Sequence, residues 1–229
     1  MEPKLIYLAK RNPSLMREDF TARWRQHGAL GMSMPRWVNI RRYVHCDVQQ
    51  PGIDGVSECY DGVGLIWHRS PEARARHRAD NTSQGQMVDD EAHTFAEPVY
   101  NFCLLAEETI LRSQGVGPVK LIRFVERSKA ITGEAFARAW KGQYAPALLQ
   151  DIASGEVLRY VQNHVLPPER PGGWALKSDC VDEFWFESGD KAAAAFGALS
   201  APGKIDGELV SQSIWVATNE VILHDRPQP

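Results

Sequence analysis

Residues 4–29 read KLIYLAKRNPSLMREDFTARWRQHGA, and residues 120–145 read KLIRFVERSKAITGEAFARAWKGQYA. Set one above the other without a gap, at an offset of 116, they share eight identities. Lys4, Leu5, Ile6, Arg11, Glu18, Phe20, Trp24 and Ala29 recur as Lys120, Leu121, Ile122, Arg127, Glu134, Phe136, Trp140 and Ala145. Further along, Arg42-Tyr43-Val44 recurs as Arg159-Tyr160-Val161 at offset 117, and Cys59 and Asp61 as Cys180 and Asp182 at offset 121. Glu108-Thr109-Ile110-Leu111 returns as Glu220-Val221-Ile222-Leu223. The drifting offset reads as insertions in loops, where added length costs little. An ordered series of this kind reads as one unit of roughly a hundred residues written twice.

Within the first unit, Lys4 to Lys10 has the apolar alternation of a strand, and Asn12-Pro13-Ser14 breaks it. Glu18 and Asp19 suit the positive end of a helix that follows. Phe20, Trp24 and His27 fall at i, i+4 and i+7 and share one face of it. Thr132 is the N-cap of the twin helix, whose matching face carries Phe136, Trp140 and Gln143. Ile40 to Val48 and Tyr60 to Trp67 read as strands, and Ser70-Pro71-Glu72 opens a second helix that ends near Arg78. A polar stretch from Asp80 to Glu91 and a last strand, Tyr100 to Leu111, complete a β-α-β-β-α-β order. The second copy places strands near 120–126, 157–164, 181–187 and 213–223, with helices near 133–144 and 189–199.

These readings predict repeats at residues 1–112 and 119–229, joined by a Gly- and Ser-bearing linker at 113–118. Each four-stranded sheet would have helices on one face only, so its bare face must be buried. The expected fold class is therefore α+β. Two ferredoxin-like repeats pack sheet to sheet as a dimeric α+β barrel within one chain.

Bulk composition narrows the function classes. The formal net charge is −3 and the pI about 6.2, so no basic excess exists to neutralise phosphates and nucleic acid is not an expected partner. No apolar run approaches the roughly 20 residues that span a bilayer. Met1-Glu2-Pro3-Lys4 leads into a strand with no signal-peptide core, so a cytoplasmic location is expected. Cys46, Cys59, Cys103 and Cys180 lack paired zinc spacing and read as buried free thiols. No His pair has metal-ligand spacing on one element, and no nucleotide-binding glycine motif or nucleophile elbow is present. Neither a metal nor a cofactor is expected.

Three segments together resemble the EthD family of the dimeric α+β barrel superfamily. They are Lys4-Leu5-Ile6 through Phe20-x-x-x-Trp24-x-x-His27, then Arg42-Tyr43-Val44, then Tyr60-Asp61-Gly62-Val63 with its following Ser70-Pro71-Glu72. The acidic Asp89-Asp90-Glu91 before Phe95 also fits, and the resemblance covers nearly the whole chain as two copies. It implies a pocket between the helices and the sheet of each half. It also implies a cofactor-free lyase or isomerase, of decarboxylase or dehydratase type, acting on a small aromatic, polyketide-like or lactone acid. A cofactor-free, quinone-forming monooxygenase and a non-catalytic ligand-binding protein are the alternatives. Heme-binding members of the superfamily exist, but nothing here singles out an axial ligand.

Within that frame His27 is the sharpest candidate for general acid-base work, set against a core histidine with a satisfied hydrogen bond. A helix C-terminus would favour its charged form and burial would oppose it. Tyr43 and His45 share a strand face, where a phenol can hold an oxyanion and an imidazole can move a proton. Asp61, in an apolar strand, needs a partner or a raised pKa, and serves either as base or as a structural acid. Phe20 and Trp24 would wall the substrate, Arg42 or its neighbour Arg41 would hold its carboxylate, only one of the two reaching the pocket because they alternate in facing, and His93 would close over it from an acidic loop. The loop from Asn163 to Ser178, with Trp174, could lid a pocket. Because His27 aligns with Gln143 and His45 with Gln162, the first half is expected to carry the active site. The expected partner is a small molecule, and the protein a monomer with an internal pseudo-dimer, or a homodimer through exposed edge strands.

Overall fold

The computed structural model describes residues 2–49, 52–82, 84–151, 156–169, 173–201 and 204–226. The apolar runs become eight strands. In the first half these are β1 (Pro3–Ala9), β2 (Ile40–Val48), β3 (Gly62–His68) and β4 (Cys103–Ser113). In the second they are β5 (Val119–Arg127), β6 (Arg159–Val165), β7 (Cys180–Phe186) and β8 (Val210–Asp225). Helices α1 (Arg17–Ser33), α2 (Pro71–Ala79) and α3 (Gln84–Thr94) belong to the first half. Helices α4 (Gly133–Ala139), α5 (Ala145–Asp151), α6 (Gly189–Ser200) and α7 (Lys204–Leu209) belong to the second. No described helix is long and apolar enough to cross a membrane.

The strands form one closed antiparallel barrel in the order β1-β3-β2-β8-β5-β7-β6-β4, so the fold is mixed α+β around an eight-stranded barrel. Within each half the last strand lies beside the first, then the third, then the second. Closure comes from the length of the last strands. β4 pairs β1 through Pro3–Tyr7 and then β6 through Ala106–Ser113, and β8 likewise passes from β5 to β2. Each therefore belongs to both sheets. The edges expected to remain free are paired, which removes the templates for joining a second chain edge to edge.

The barrel interior is packed with Ile6, Leu8, Val44, Val63, Leu65, Leu104, Ile122, Phe124, Val181 and Val216. The outer faces carry the helices over aromatic layers: Phe20, Trp24, Phe95 and Phe102 in the first half, Phe136, Trp140, Tyr160 and Phe184 in the second. Two elements differ from expectation. The polar stretch 80–91 contains α3, whose Met87 and Thr94 are buried against the rest of the fold. The long helix near 133–144 is interrupted by a π turn, Trp140–Tyr144. Pro146 has no N–H to give the carbonyl of Gly142, and its ring would strike that carbonyl in a regular helix; a wider turn just before it relieves both.

That turn shifts the correspondence between the halves. Trp24, His27, Gly28 and Gly31 are buried in α1, and Trp140, Tyr144, Ala145 and Leu148 are buried in its counterpart, while Gln143 is exposed. The side chain standing in the place of His27 is thus Tyr144, not Gln143. The pairing of Asp61 with Asp182 is corrected in the same way. Asp61 accepts from the backbone N–H and the guanidinium of Arg11 at 2.8 and 2.7 Å, and Asp179 accepts the same pair of bonds from Arg127 at 2.9 and 3.0 Å. Asp179 is its counterpart. Strand register then sets Asp182 opposite Arg123, where the first half has Gly64 opposite Tyr7.

Candidate active site

Between the outer face of the first sheet and helices α1, α2 and α3 lies a cavity of about 130 Å³. Leu5, Tyr7, Tyr43 and Ile66 form its floor, His27, Gly28 and Gly31 one wall, and Trp37, Met87, Glu91 and Val99 the others, with Arg36 and His77 also lining it. A cavity of roughly 150 Å³ holds benzene, so this one suits a single ring.

The floor is organised by strand alternation: β2 puts Tyr43 and His45 on its outer face, and Tyr7 on β1 joins them. The Nε1 of Trp24 donates to the Tyr7 hydroxyl at 3.1 Å, and the Tyr7 and Tyr43 hydroxyls lie 3.0 Å apart. His45 Nε2 lies 2.5 Å from the Tyr43 hydroxyl, and its Nδ1 2.5 Å from Nη1 of Arg25. A guanidinium can only donate, so Nδ1 is the acceptor and the proton sits on Nε2, donating to Tyr43. Burial, then Arg25 and His27, press the His45 pKa down to about 2 and keep it neutral. Two ring N–H groups therefore enter the tyrosine pair from outside. Each phenol has one proton, and one of the two is used in the bond between them. The other is left for whatever occupies the cavity. Burial holds both phenols protonated, well above their usual pKa.

His27 approaches from α1. Its Nδ1 lies 2.7 Å from Oδ2 of Asp90 on α3, and Asp90 is held in turn by Arg23 at 2.5 Å. Burial pulls the Asp90 carboxyl up, but the bonds from Arg23 and His27 outweigh it and keep it below its usual value. With Nδ1–H committed to a carboxylate, Nε2 is the lone-pair nitrogen. Burial lowers the His27 pKa despite Asp90. The helix end plays no part, since α1 continues to Ser33. The arrangement is a neutral base fixed in one tautomer, beside an unspent phenolic proton.

The other expected site residues lie elsewhere. Phe20 and Trp24 are wholly buried and support the site from behind; Trp24 stacks on His45 at 3.6 Å. Asp61 lies just before β3, outside this cavity, bound to Arg11 and 3.3 Å from Arg17. Arg42 shares the inward face of β2 with Val44 and Cys46 and so faces a different cavity at one end of the barrel, and a bulge at the start of β2 brings Arg41 to the same side. His93 is an exposed helical residue bonded to the carbonyl of Asp89, not part of a closing loop. Trp174 is half-buried against the barrel, bonded to the Leu166 carbonyl, and residues 170–172 of that loop lie outside the described residues.

Several contributors escaped sequence reasoning. Arg36, its pKa lowered by burial, supplies the guanidinium in the cavity, and the side-chain hydrogen bond it makes among the described residues is a 3.5 Å contact with Gln84. Glu91 is raised by burial, and His77 is pressed to about 4 by burial and by Arg36. Tyr7 had a visible signal: Gly64 interrupts an apolar strand, which marks close approach by another group.

Among the described residues no three His, Cys, Asp or Glu side chains converge to hold a metal. A cavity of about 130 Å³ has no room for a porphyrin beside His27.

No protein-family model and no curated protein matches the chain. Solved structures do. An anthrone oxidase-like protein is 11% identical with a TM-score of 0.59, over 96% of this chain and 91% of its own. A candidate monooxygenase of Fusobacterium nucleatum is 6% identical with a TM-score of 0.55, over 100% and 95%. A single-substitution variant of chlorite dismutase from Candidatus Nitrospira defluvii is 11% identical with a TM-score of 0.53, over 95% and 91%. The likeness is one of fold: these are dimeric α+β barrel proteins, and this chain shares with them a mixed α+β fold around an antiparallel barrel of eight strands.

Proposed function

We propose that the chain is a tandem-repeat member of the EthD family, with ferredoxin-like repeats at 1–112 and 119–229 joined at 113–118. Its first half is a cofactor-independent lyase or isomerase acting by general acid-base chemistry on a single-ring aromatic or lactone-type acid. The observation that carries this reading is the His27–Asp90 pair beside the Tyr7–Tyr43 pair on one ring-sized cavity. His27 Nε2 takes a proton from an acidic C–H or O–H. The spare tyrosine proton holds the resulting enolate or phenolate, and Arg36 meets a substrate carboxylate. The substrate is a small molecule, and a barrel closed within one chain lets the protein act as a monomer.

A second reading uses the same base. A deprotonated phenol passes electrons to O₂, one oxygen atom entering the ring to give a quinone and the other leaving as water. The names of the anthrone oxidase-like and candidate monooxygenase neighbours favour it.

The test is a thermal-shift screen of monocyclic aromatic acids, phenols and lactones, followed by product analysis and an oxygen electrode. Turnover without oxygen uptake that falls about 10²- to 10⁴-fold in His27→Ala supports the lyase or isomerase; oxygen uptake supports the monooxygenase. Ligands that bind wild type and His27→Ala alike and never change would replace catalysis with simple binding.

A further inference from the structure

One end of the barrel holds a second cavity, of about 390 Å³, which shares no lining residue with the His27 cavity. Its walls come from matching positions in the two halves: Arg42 and Arg159, Trp67 and Trp185, Glu108 and Glu220, Ile110 and Ile222. Lys4 lies 4.3 Å from the Trp67 ring and Lys120 4.1 Å from the Trp185 ring, and the guanidinium carbons of Arg42 and Arg159 lie 5.3 and 5.2 Å from the same rings. The indole N–H groups donate to Glu108 at 3.3 Å and Glu220 at 3.2 Å.

The carboxylates divide the two arginines. Arg42 is bonded to Glu220 at 3.2 Å and lies 3.6 Å from Asp225, while Arg41 takes Glu2 at 2.5 Å and lies 3.9 Å from Asp225. Glu108 lies 2.8 Å from Lys4 but 4.0 Å from Arg159. Glu183 is engaged below by both lysines. Among the described residues five cations and five carboxylates meet here, so their charge is balanced, but the acid nearest Arg159 is Glu108 at 4.0 Å. The Nε atoms of Arg42 and Arg159 are both buried without a hydrogen-bond partner among the described residues.

We propose that this cavity binds an aromatic monocarboxylate. Its carboxylate lies on the cavity-facing guanidinium nitrogens of Arg159, and its ring lies among Trp185, Trp67, Ile110, Val116 and Ile222. Half-exposed Ile110 and Ile222, with exposed Val116, give the mouth an apolar rim that suits a ring larger than the His27 cavity admits. A planar carboxylate matches the guanidinium edge. Glu108 and Glu220 in the wall disfavour a dianion such as phosphate.

The probe is 2-naphthoate, followed by calorimetry on the whole chain, with neutral 2-naphthalenemethanol as comparison. Wild type should prefer the acid by at least about tenfold, a preference lost in Arg159→Gln and kept in His27→Ala. Should Arg159→Gln misfold, ¹⁵N-indole spectra of wild type, assigned with Trp67→Phe and Trp185→Phe, should show both signals shifting with naphthoate. Undiminished binding in folded Arg159→Gln, unmoved indole signals, or binding lost in His27→Ala would each overturn the proposal.

Discussion

The ring of Tyr7 occupies the space that a side chain at Gly64 would need: a Cβ there would lie 1.9 Å from Cζ and 2.4 Å from the hydroxyl of Tyr7. At the matching place in the second half, Asp182 stands opposite Arg123, and Tyr144 stacks on Trp140 at 3.7 Å. The first half therefore keeps its hydroxyl pair only because residue 64 is glycine. Gly64→Ala must push Tyr7 off its bond to Tyr43. It should destabilise the fold by about 1–3 kcal/mol and abolish turnover while His27 is unaltered. A urea midpoint within error of wild type would show that Tyr7 moves without cost and does not hold the site.

Arg25 does not line the cavity yet sets the direction of its protons, because its bond to His45 Nδ1 fixes the tautomer that donates to Tyr43. Arg25→Met removes that constraint. The expected result is a fall in kcat of about tenfold with KM little changed, partly rescued by Arg25→Lys. A rise in KM at constant kcat would mean that Arg25 binds substrate instead.

Stability should fall in mild acid. Burial presses His45 and His68 to about 2, and His77 and His164 to about 4, from an ordinary 6.5. Below 6.5 the unfolded chain takes up protons that these folded histidines refuse, so each costs about 1.4 kcal/mol per pH unit until its folded pKa is reached. Asp182 opposes this: burial raises it to about 7, so between 3.8 and 7 the folded state holds a proton the unfolded state has lost. Glu91 and Asp47, also raised by burial, pull the same way as Asp182 but less. Four histidines outweigh them between pH 6 and 4.5. Urea midpoints should drop from pH 7.5 to 5.0, and by less in His68→Asn; a flat profile would mean that the histidines protonate in place. Turnover should rise with pH through the lowered His27 pKa.

Asp61 illustrates what its sequence neighbourhood concealed. It reads equally as a base or as a structural acid, and its bonds to Arg11, repeated by Asp179 and Arg127, favour the structural role. Asp61→Asn should lower stability by about 1–3 kcal/mol and leave kcat unchanged once the protein is folded. A large loss of kcat at full folding would restore it to the chemistry.

Strand and helix runs were legible because periodicity is local: Phe20, Trp24 and His27 mark one helix face, and Tyr43 and His45 one strand face. What was not legible depended on register and on distant partners. The π turn before Pro146 moves Tyr144 into the place assigned to Gln143, and no local pattern announces a one-residue shift. Helix α3 is polar enough to pass for a loop, and it brings Asp90 to His27 across 63 residues of sequence. Arg42 was assigned to the pocket, yet alternation sets it with Val44 and Cys46, on the face opposite Tyr43 and His45, and so at the barrel end.

The barrel interior carries the last and sharpest energetic prediction. Glu183 is fully buried and engages Lys4 and Lys120, both also fully buried, with Lys120 at 2.7 Å and Asn163 donating at 2.9 Å. Burial would raise this carboxyl, but the two lysines overrule it and hold it far below its usual pKa. By strand register its counterpart is Leu65, so one half fills with hydrocarbon the position that the other fills with charge. Removing one member of a buried ion group strands the others, and Glu183→Gln should cost about 3–5 kcal/mol. Glu183→Leu should cost as much alone. Glu183→Leu combined with Lys4→Met should recover most of it, because Lys120 keeps Glu220 at 2.5 Å and Glu108 keeps the Trp67 N–H. If Glu183→Gln unfolds within about 1 kcal/mol of wild type, water must reach the lysines, and the interior is wetter than its packing implies.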